Sequence, residues 1–327
     1  MHKITHKRYK ISCWIITEGI AGTENQCIGV TNALGLEPDI KRITLNEPWK
    51  SLSPYLGLEQ KWSFNPALAP PWPNLLITSG RKSIAVARYI KKMSRQKTIL
   101  VHIQDPRVSA NKFDLVAVPE HDPLRGNNVI VTKGSPNKIT PKGINNAKAD
   151  FPALGSLRSP RIAVLIGGTS KAYRMTRSIT EKLANNLSHL NESLNASLMI
   201  TCSRRTGAEN QAILETHLKN DANYFWDGQG KNPYLAMLGH ADYILVSADS
   251  ASMISESCTT GKPVYMIDLK GGSKRISTFH NNIMRHGALK PFNGTLKSFS
   301  YEPLNDAEMV AKEIKKRFGT LLGLTNS

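Results

Sequence analysis

Short apolar runs, spaced by segments of helix length, constrain this chain more than any other feature. Ile11–Ile16, Arg161-Ile-Ala-Val-Leu-Ile166 and Tyr243–Val246 are too short for buried helices and lack the alternation of a half-exposed strand. Such runs suit strands covered on both faces, which is the setting of a parallel sheet flanked by helices. The first half reads as strands at 11–17, 39–43, 74–78, 98–103, 115–118 and 129–132, with helices at 25–34 and 81–93. The stretch 132–160 is rich in Pro, Gly, Asn and Ser and shows no period, so it marks a boundary. The pattern then restarts at Arg161 and runs to a final helix at 306–318. The expected fold is α/β, with two Rossmann-like domains facing a cleft, residues 1–150 and 151–327. The last helix is free to pack back on the first domain.

The 327 residues suffice for two such domains, and 40% hydrophobic content fits a globular chain. No apolar run reaches the roughly 18 residues of a membrane-spanning helix. Cys13, Cys27, Cys202 and Cys258 form no Cys-x-x-Cys pair and no zinc spacing, which agrees with buried thiols in a reducing compartment. The formal net charge of +18 calls for an anionic partner. The charge lies in patches at Lys7–Lys10, Arg81-Lys82, Lys91–Lys97, Lys270–Arg275 and Lys312–Arg317. With 7% aromatics and no zinc-finger or RNA-binding motif, nucleic acid is not expected. An anionic membrane surface or a phosphorylated substrate is.

Ligands of parallel sheets bind beyond the carboxyl ends of the strands, and five segments fall there. After Tyr243–Val246 comes Ser-Ala-Asp-Ser-Ala-Ser-Met-Ile-Ser-Glu256. Its hydroxyls and helix start offer free N–H groups and a positive dipole end to a phosphate, and Glu256 offers a carboxylate to ribose hydroxyls. Asp249, Ser250 and Ser252 also suit an ordinary helix cap. Ile166-Gly-Gly-Thr-Ser-Lys171 reads as a phosphate cradle without Walker A spacing. Ser203-Arg-Arg-Thr-Gly207 reads as a diphosphate clamp through Arg204 and Arg205, or as a surface charge pair. Gly19 and Gly22 follow the first strand as a close-approach turn, but not as the Gly-x-Gly-x-x-Gly of an NAD site. His102-Ile-Gln-Asp-Pro-Arg107 supplies His102 and Asp105 as candidate bases, in competition with Glu18 and Glu24. No Asp-x-Asp motif points to a metal, and no cofactor is expected.

Taken together, Gly19-Ile-Ala-Gly-Thr-Glu-Asn-Gln26, His102-Ile-Gln-Asp-Pro-Arg107, Gly167-Gly-Thr-Ser170, Ser203-Arg-Arg-Thr206, Asn232-Pro-Tyr234 and Ala248–Glu256 occur in an order that resembles the mitochondrial-fission "elongated mitochondria" family. The resemblance extends through Phe279-His280, Gly287, Pro291-Phe292 and Pro303–Asp306, with His102 standing where Gln is common. It implies a GT-B-like fold. It implies Glu256 at a donor ribose, and Gly168, Thr169, Ser170, Ser250 and Ser252 around a diphosphate. Plant members are peripheral proteins of the outer mitochondrial membrane that recruit a dynamin-related GTPase. Two functions are therefore expected to compete. One is a metal-independent glycosyltransferase using a nucleotide sugar, with Asp105, Glu18 or His102 as base. The other is a non-catalytic membrane adaptor for a dynamin-like partner. The expected location is cytoplasmic, peripheral on the inner membrane, or on the outer mitochondrial surface in a eukaryote.

Overall fold

The structure is a computed structural model that describes residues 11–324; the basic segment Lys7–Lys10 lies outside them. The first sheet is built from strands β1 (Cys13–Thr17), β2 (Asp39–Arg42), β3 (Leu75–Ser79), β4 (Ile99–Ile103), β5 (Leu115–Pro119) and β6 (Val129–Thr132). Helices α1 (Ala21–Leu34) and α2 (Ser83–Met93) belong to it. Next come α3 (Pro141–Asp150), β7 (Arg161–Ile166), α4 (Arg177–Ser193), β8 (Ser197–Cys202), α5 (Ala208–Leu218) and β9 (Tyr224–Trp226). They are followed by α6 (Tyr234–His240), β10 (Tyr243–Ser247), α7 (Ala251–Thr259), β11 (Val264–Ile267), α8 (Lys274–Arg285), β12 (Leu289–Pro291) and α9 (Asp306–Leu322).

The chain divides into two compact units. The first takes in residues up to 132, the short stretch 136–138, and 305 onward; the second takes in 133–135 and 139–304. Each has a six-stranded sheet, ordered β2-β1-β3-β4-β5-β6 in the first and β9-β8-β7-β10-β11-β12 in the second. Every neighbouring pair in both is parallel. The expected fold class, α/β with two parallel doubly wound sheets, is what is observed.

Alternation along each strand divides the core between the faces of its sheet. In the first unit Trp14, Ile16, Leu76, Leu100 and Val116 join one cluster, while Cys13, Ile15, Leu75, Ile77 and Val101 join the other. The second cluster also holds Val310, Ala311 and Ile314 of α9, so the last helix packs on the first unit. In the second unit Ile162, Val164, Leu198 and Leu245 face one way, and Ala163, Leu165, Met199 and Ile244 the other.

The structure corrects one sequence expectation here, because the aperiodic stretch 132–160 contains α3. Thr140 accepts a hydrogen bond from the Gly143 N–H, and Pro141 occupies the first turn. Gly143, Asn145 and Asn146 weaken the intrinsic propensity, and the apolar face is reduced to Ile144 and Ala147. Contact with α6 holds the helix in place, which no local period signals.

Candidate functional site

In the second unit the strand order reverses between β7 and β10. At such a point the loops from adjacent strands diverge and leave room for a ligand. Three loops interlock there. The Gly167 N–H donates to Ser247 Oγ (2.7 Å), and that hydroxyl donates to Asp249 Oδ1 (2.6 Å). The hydroxyls of Ser203 and Thr206 both donate to the Gly167 carbonyl, each at 2.6 Å. The Thr169 N–H donates to the Arg205 carbonyl (3.0 Å). Only glycine fits this knot. A Cβ at Gly167 would lie 2.3 Å from the Asp249 carboxylate. At Gly168 (φ +137°) it would lie 2.2 Å from the Arg205 carbonyl.

The charges at the knot differ from the expected clamp. The Asp249 carboxylate is fully buried, and Arg205 binds it through Nη2 (2.6 Å) and Nε (3.2 Å). Arg205 therefore neutralises an internal carboxylate while its side chain remains 45% exposed. Arg204 is exposed and has no hydrogen bond or ion pair among the described residues. Hydroxyl oxygens of the candidate cradle are turned onto its own backbone. Thr169 Oγ1 accepts from the Met175 N–H (3.2 Å), and Ser170 Oγ accepts from those of Ala172 (3.3 Å) and Tyr173 (3.2 Å). Their O–H donors are still able to reach a ligand. Ser250 caps α7 by accepting from the Met253 N–H (3.4 Å), with half-buried Ser252 in the same first turn. The first N–H groups of a helix have no intrahelical acceptor, so this end of α7 is the anion-receptive part of the knot.

Glu256 lies in the second turn of α7 and is 7% exposed. The Tyr234 hydroxyl, on α6, donates to its Oε2 at 2.6 Å. Asn232 Oδ1 accepts from the Tyr234 N–H (2.9 Å) and so fixes the start of α6. Burial, and then the neighbouring Glu256 charge, push the Tyr234 phenol well above its ordinary value. The phenol thus stays a donor and orients the carboxylate. The sequence singled out Asn232-Pro-Tyr234 but gave Tyr234 no role.

His280 was also given no role. It is buried on α8, bonded to the Ala248 backbone, and its Nε2 has no partner among the described residues. Burial lowers its pKa, opposed by the Ala248 bond and by Asp268. Ile276, Phe279, His280 and Ile283 fall at helical spacing, and that period is the signal that would have placed His280 on the inward stripe.

In the first unit the order reverses between β1 and β3. Gly19 (φ +79°) follows β1, its N–H donating to Thr17 Oγ1 (3.1 Å). A polar node ties the strand ends to α1: Gln26 Oε1 accepts from Ser79 Oγ (2.9 Å) and from Gln104 Nε2 (3.1 Å). The four candidate bases of this unit are otherwise engaged. Glu18 pairs with Lys82 (3.0 Å) and Glu24 with Arg42 (2.7 Å). Asp105 Oδ1 accepts from the Arg107 N–H (2.8 Å), closing a turn in which Gln104 and Arg107 take positive φ.

His102 is a correction. It is fully buried inside β4, with Nδ1 2.8 Å from Thr78 Oγ1 and its ring 5.2 Å from that of Phe113. Burial holds its pKa down at about 3, so it is a neutral core group and not a solvent-facing base. A histidine whose folded pKa lies below its unfolded value of 6.5 loses stability as the pH falls below 6.5. His102→Gln should therefore hold its stability better in acid, by about 2 kcal/mol between pH 6.5 and 4.5. Urea unfolding at both values measures this. Parallel losses in the two proteins would contradict a buried neutral imidazole.

A family profile described as mitochondrial fission ELM1 matches residues 21–318, and the chain belongs to that family. It is 27% identical to "Mitochondrial fission protein ELM1" of Arabidopsis thaliana, over 92% of this chain and 90% of that protein. It is 28% identical to an uncharacterised protein of Rickettsia prowazekii, over 74% and 79% of the two chains. Among solved structures it is similar in fold to the UDP-GlcNAc 2-epimerase of Methanocaldococcus jannaschii. That match has a TM-score of 0.59 and 14% identity and covers 94% of this chain and all (100%) of the other. The complex of the same enzyme with UDP-GlcNAc and UDP matches with a TM-score of 0.53 and 12% identity, over the same shares. The fold is thus GT-B-like.

Proposed function

We propose that this member of the mitochondrial fission ELM1 family binds a nucleotide sugar in its second unit and acts as a metal-independent GT-B-type glycosyltransferase. The observation that carries the reading is the knot at the switch point. The Gly167-Gly168 turn and the N-terminus of α7 leave adjacent strands, and Glu256 stands in the next turn, held by Tyr234. The α7 N–H groups and the exposed Arg204 supply positive character for a diphosphate, and Glu256 accepts from ribose hydroxyls. The similar epimerase that was solved with UDP-GlcNAc and UDP supports a uridine nucleotide as the first to try. Calorimetric titration with UDP in EDTA tests the reading. Binding below millimolar is expected, weakened about tenfold in Glu256→Gln by loss of one charged acceptor. No heat at millimolar UDP, or unchanged affinity in the variant, would sink it.

A second reading, a membrane-bound adaptor without transfer, is favoured by a separate observation. Leu52, Tyr55, Leu58 (81% exposed) and Trp62 (64%) project from one stretch of the first unit. The loop is fixed and not loose. The Trp49 Nε1–H donates to the Gly57 carbonyl (2.8 Å), the Trp49 and Trp62 rings meet edge to face at 4.7 Å, and Arg88 binds Glu59 and the Pro54 carbonyl (2.7 Å). Exposed Lys50, Lys61 and Arg81 accompany it. Apolar and aromatic tips beside lysines suit an anionic bilayer surface. Sedimentation with vesicles containing phosphatidylserine should fall at least about fivefold in Leu58→Ser/Trp62→Ser, since each apolar side chain contributes roughly 1.5–3 kcal/mol when buried. Equal sedimentation of variant and parent contradicts this reading and leaves the first untouched.

A further inference from the structure

The loops that leave β7 and β11 carry a feature that the nucleotide reading does not use. They meet as a two-stranded antiparallel ribbon, Tyr173–Arg174 against Lys270–Gly271. Tyr173 points inward and is buried. By the two-residue period, Arg174 and Lys270 share the outward face, directly opposite each other. Like charges in that position repel, yet the fold locks them there. The Gly272 N–H donates to the Ala172 carbonyl (2.7 Å), and the Ser170 N–H donates to that of Tyr173 (2.9 Å). The approach needs glycine: at Gly271 (φ +116°) a Cβ would lie 2.3 Å from the Ala172 carbonyl.

Lys171 and Lys274 flank the ribbon, and all four cations are exposed. None has a hydrogen bond or ion pair from its side chain among the described residues. Other exposed cations of this unit do pair locally, as Arg177 does with Glu181 (2.9 Å) and Lys231 with Asp150 (2.7 Å), although Arg204 does not. Lys270 also borders a depression of about 390 Å³, lined by Lys182, Asn186, Asp268, Phe292 and Asn293. Its wall offers two amides and a carboxylate to hydroxyl groups, and an apolar floor to a small carbon skeleton.

We propose that this ribbon is a binding site for a phosphate monoester. Arg174 and Lys270 grip the dianion, and the esterified body lies in the depression beside them. The fixed cation pair answers two of the three phosphate oxygens from one side, and the ligand's charge removes the repulsion that the empty ribbon carries. Lys171 and Lys274 add attraction that salt weakens. The site stands whether or not UDP binds at the α7 knot.

The test uses the full chain and two phosphate monoesters: glycerol 3-phosphate in solution, and phosphatidic acid in phosphatidylcholine vesicles. Binding of either is expected to weaken about tenfold in Arg174→Ala and again in the double variant with Lys270→Ala, one charge-assisted contact being lost each time. Binding of glycerol 3-phosphate identifies a free ester as the ligand, and binding of the vesicles alone identifies a lipid headgroup. The double variant should fold with undiminished thermal stability, because a repulsive pair has been removed, and should keep its affinity for UDP. Failure of both probes to bind the parent protein overturns the proposal. So does equal binding by the double variant, or a parallel loss of UDP affinity, which would assign these cations to the nucleotide.

Discussion

Gly168→Ala should destabilise the second unit by about 3 kcal/mol or more and abolish UDP binding with it. Two independent penalties act at this position. Its φ of +137° lies where a side chain is strained. The added Cβ would also meet the Arg205 carbonyl at 2.2 Å, where the obstacle is backbone and not the flexible end of a side chain. Relief requires the 203–206 loop to move away from 167–169, and that motion breaks the Thr169 N–H to Arg205 bond and strains the two hydroxyl bonds on the Gly167 carbonyl. Gly207→Ala is the control. It too has a positive φ (+79°) and, with ψ at 150°, sits in a region that side chains avoid, but nothing lies within 4 Å of the point its added methyl would occupy, so it should cost about 2 kcal/mol of backbone strain and no more. Chemical denaturation of both variants measures the difference. Equal losses would mean that the interlocked loops contribute nothing.

Tyr234→Phe has the next largest effect, a loss of about 2 kcal/mol, because a buried carboxylate gives up a 2.6 Å donor. Phe fills the same space, so the loss isolates the hydroxyl. The variant should also bind UDP more weakly, since Glu256 loses the Tyr234 donor that helps to orient it, while Tyr243→Phe in the neighbouring strand should leave affinity unchanged. If Tyr234→Phe matches the parent in both stability and affinity, the phenol does not position Glu256.

The sheets were legible because their strands are buried on both faces and therefore read as continuous apolar runs; β7 and β10 needed no tertiary information. The Gly167-Gly168 turn and the place of Glu256 on the helix after β10 followed from the same runs. The ion pair of Arg205 was not legible because its partner Asp249 lies 44 residues away, and no local pattern couples them. His102 was taken for a site residue on its nearness to a strand end. Its burial depends on β3 and β5 closing around β4 and on Phe113 covering its ring. Helix α3 was missed because its residues favour a loop until α6 packs against them.

The measurement that bears most directly on nucleotide binding in the second unit is a crystal structure of the protein soaked with UDP. The diphosphate should lie against the first turn of α7 and the Gly167-Gly168 turn, with a ribose hydroxyl within hydrogen-bond reach of Glu256. A diphosphate bound elsewhere in the chain, or a ribose turned away from Glu256, would contradict it.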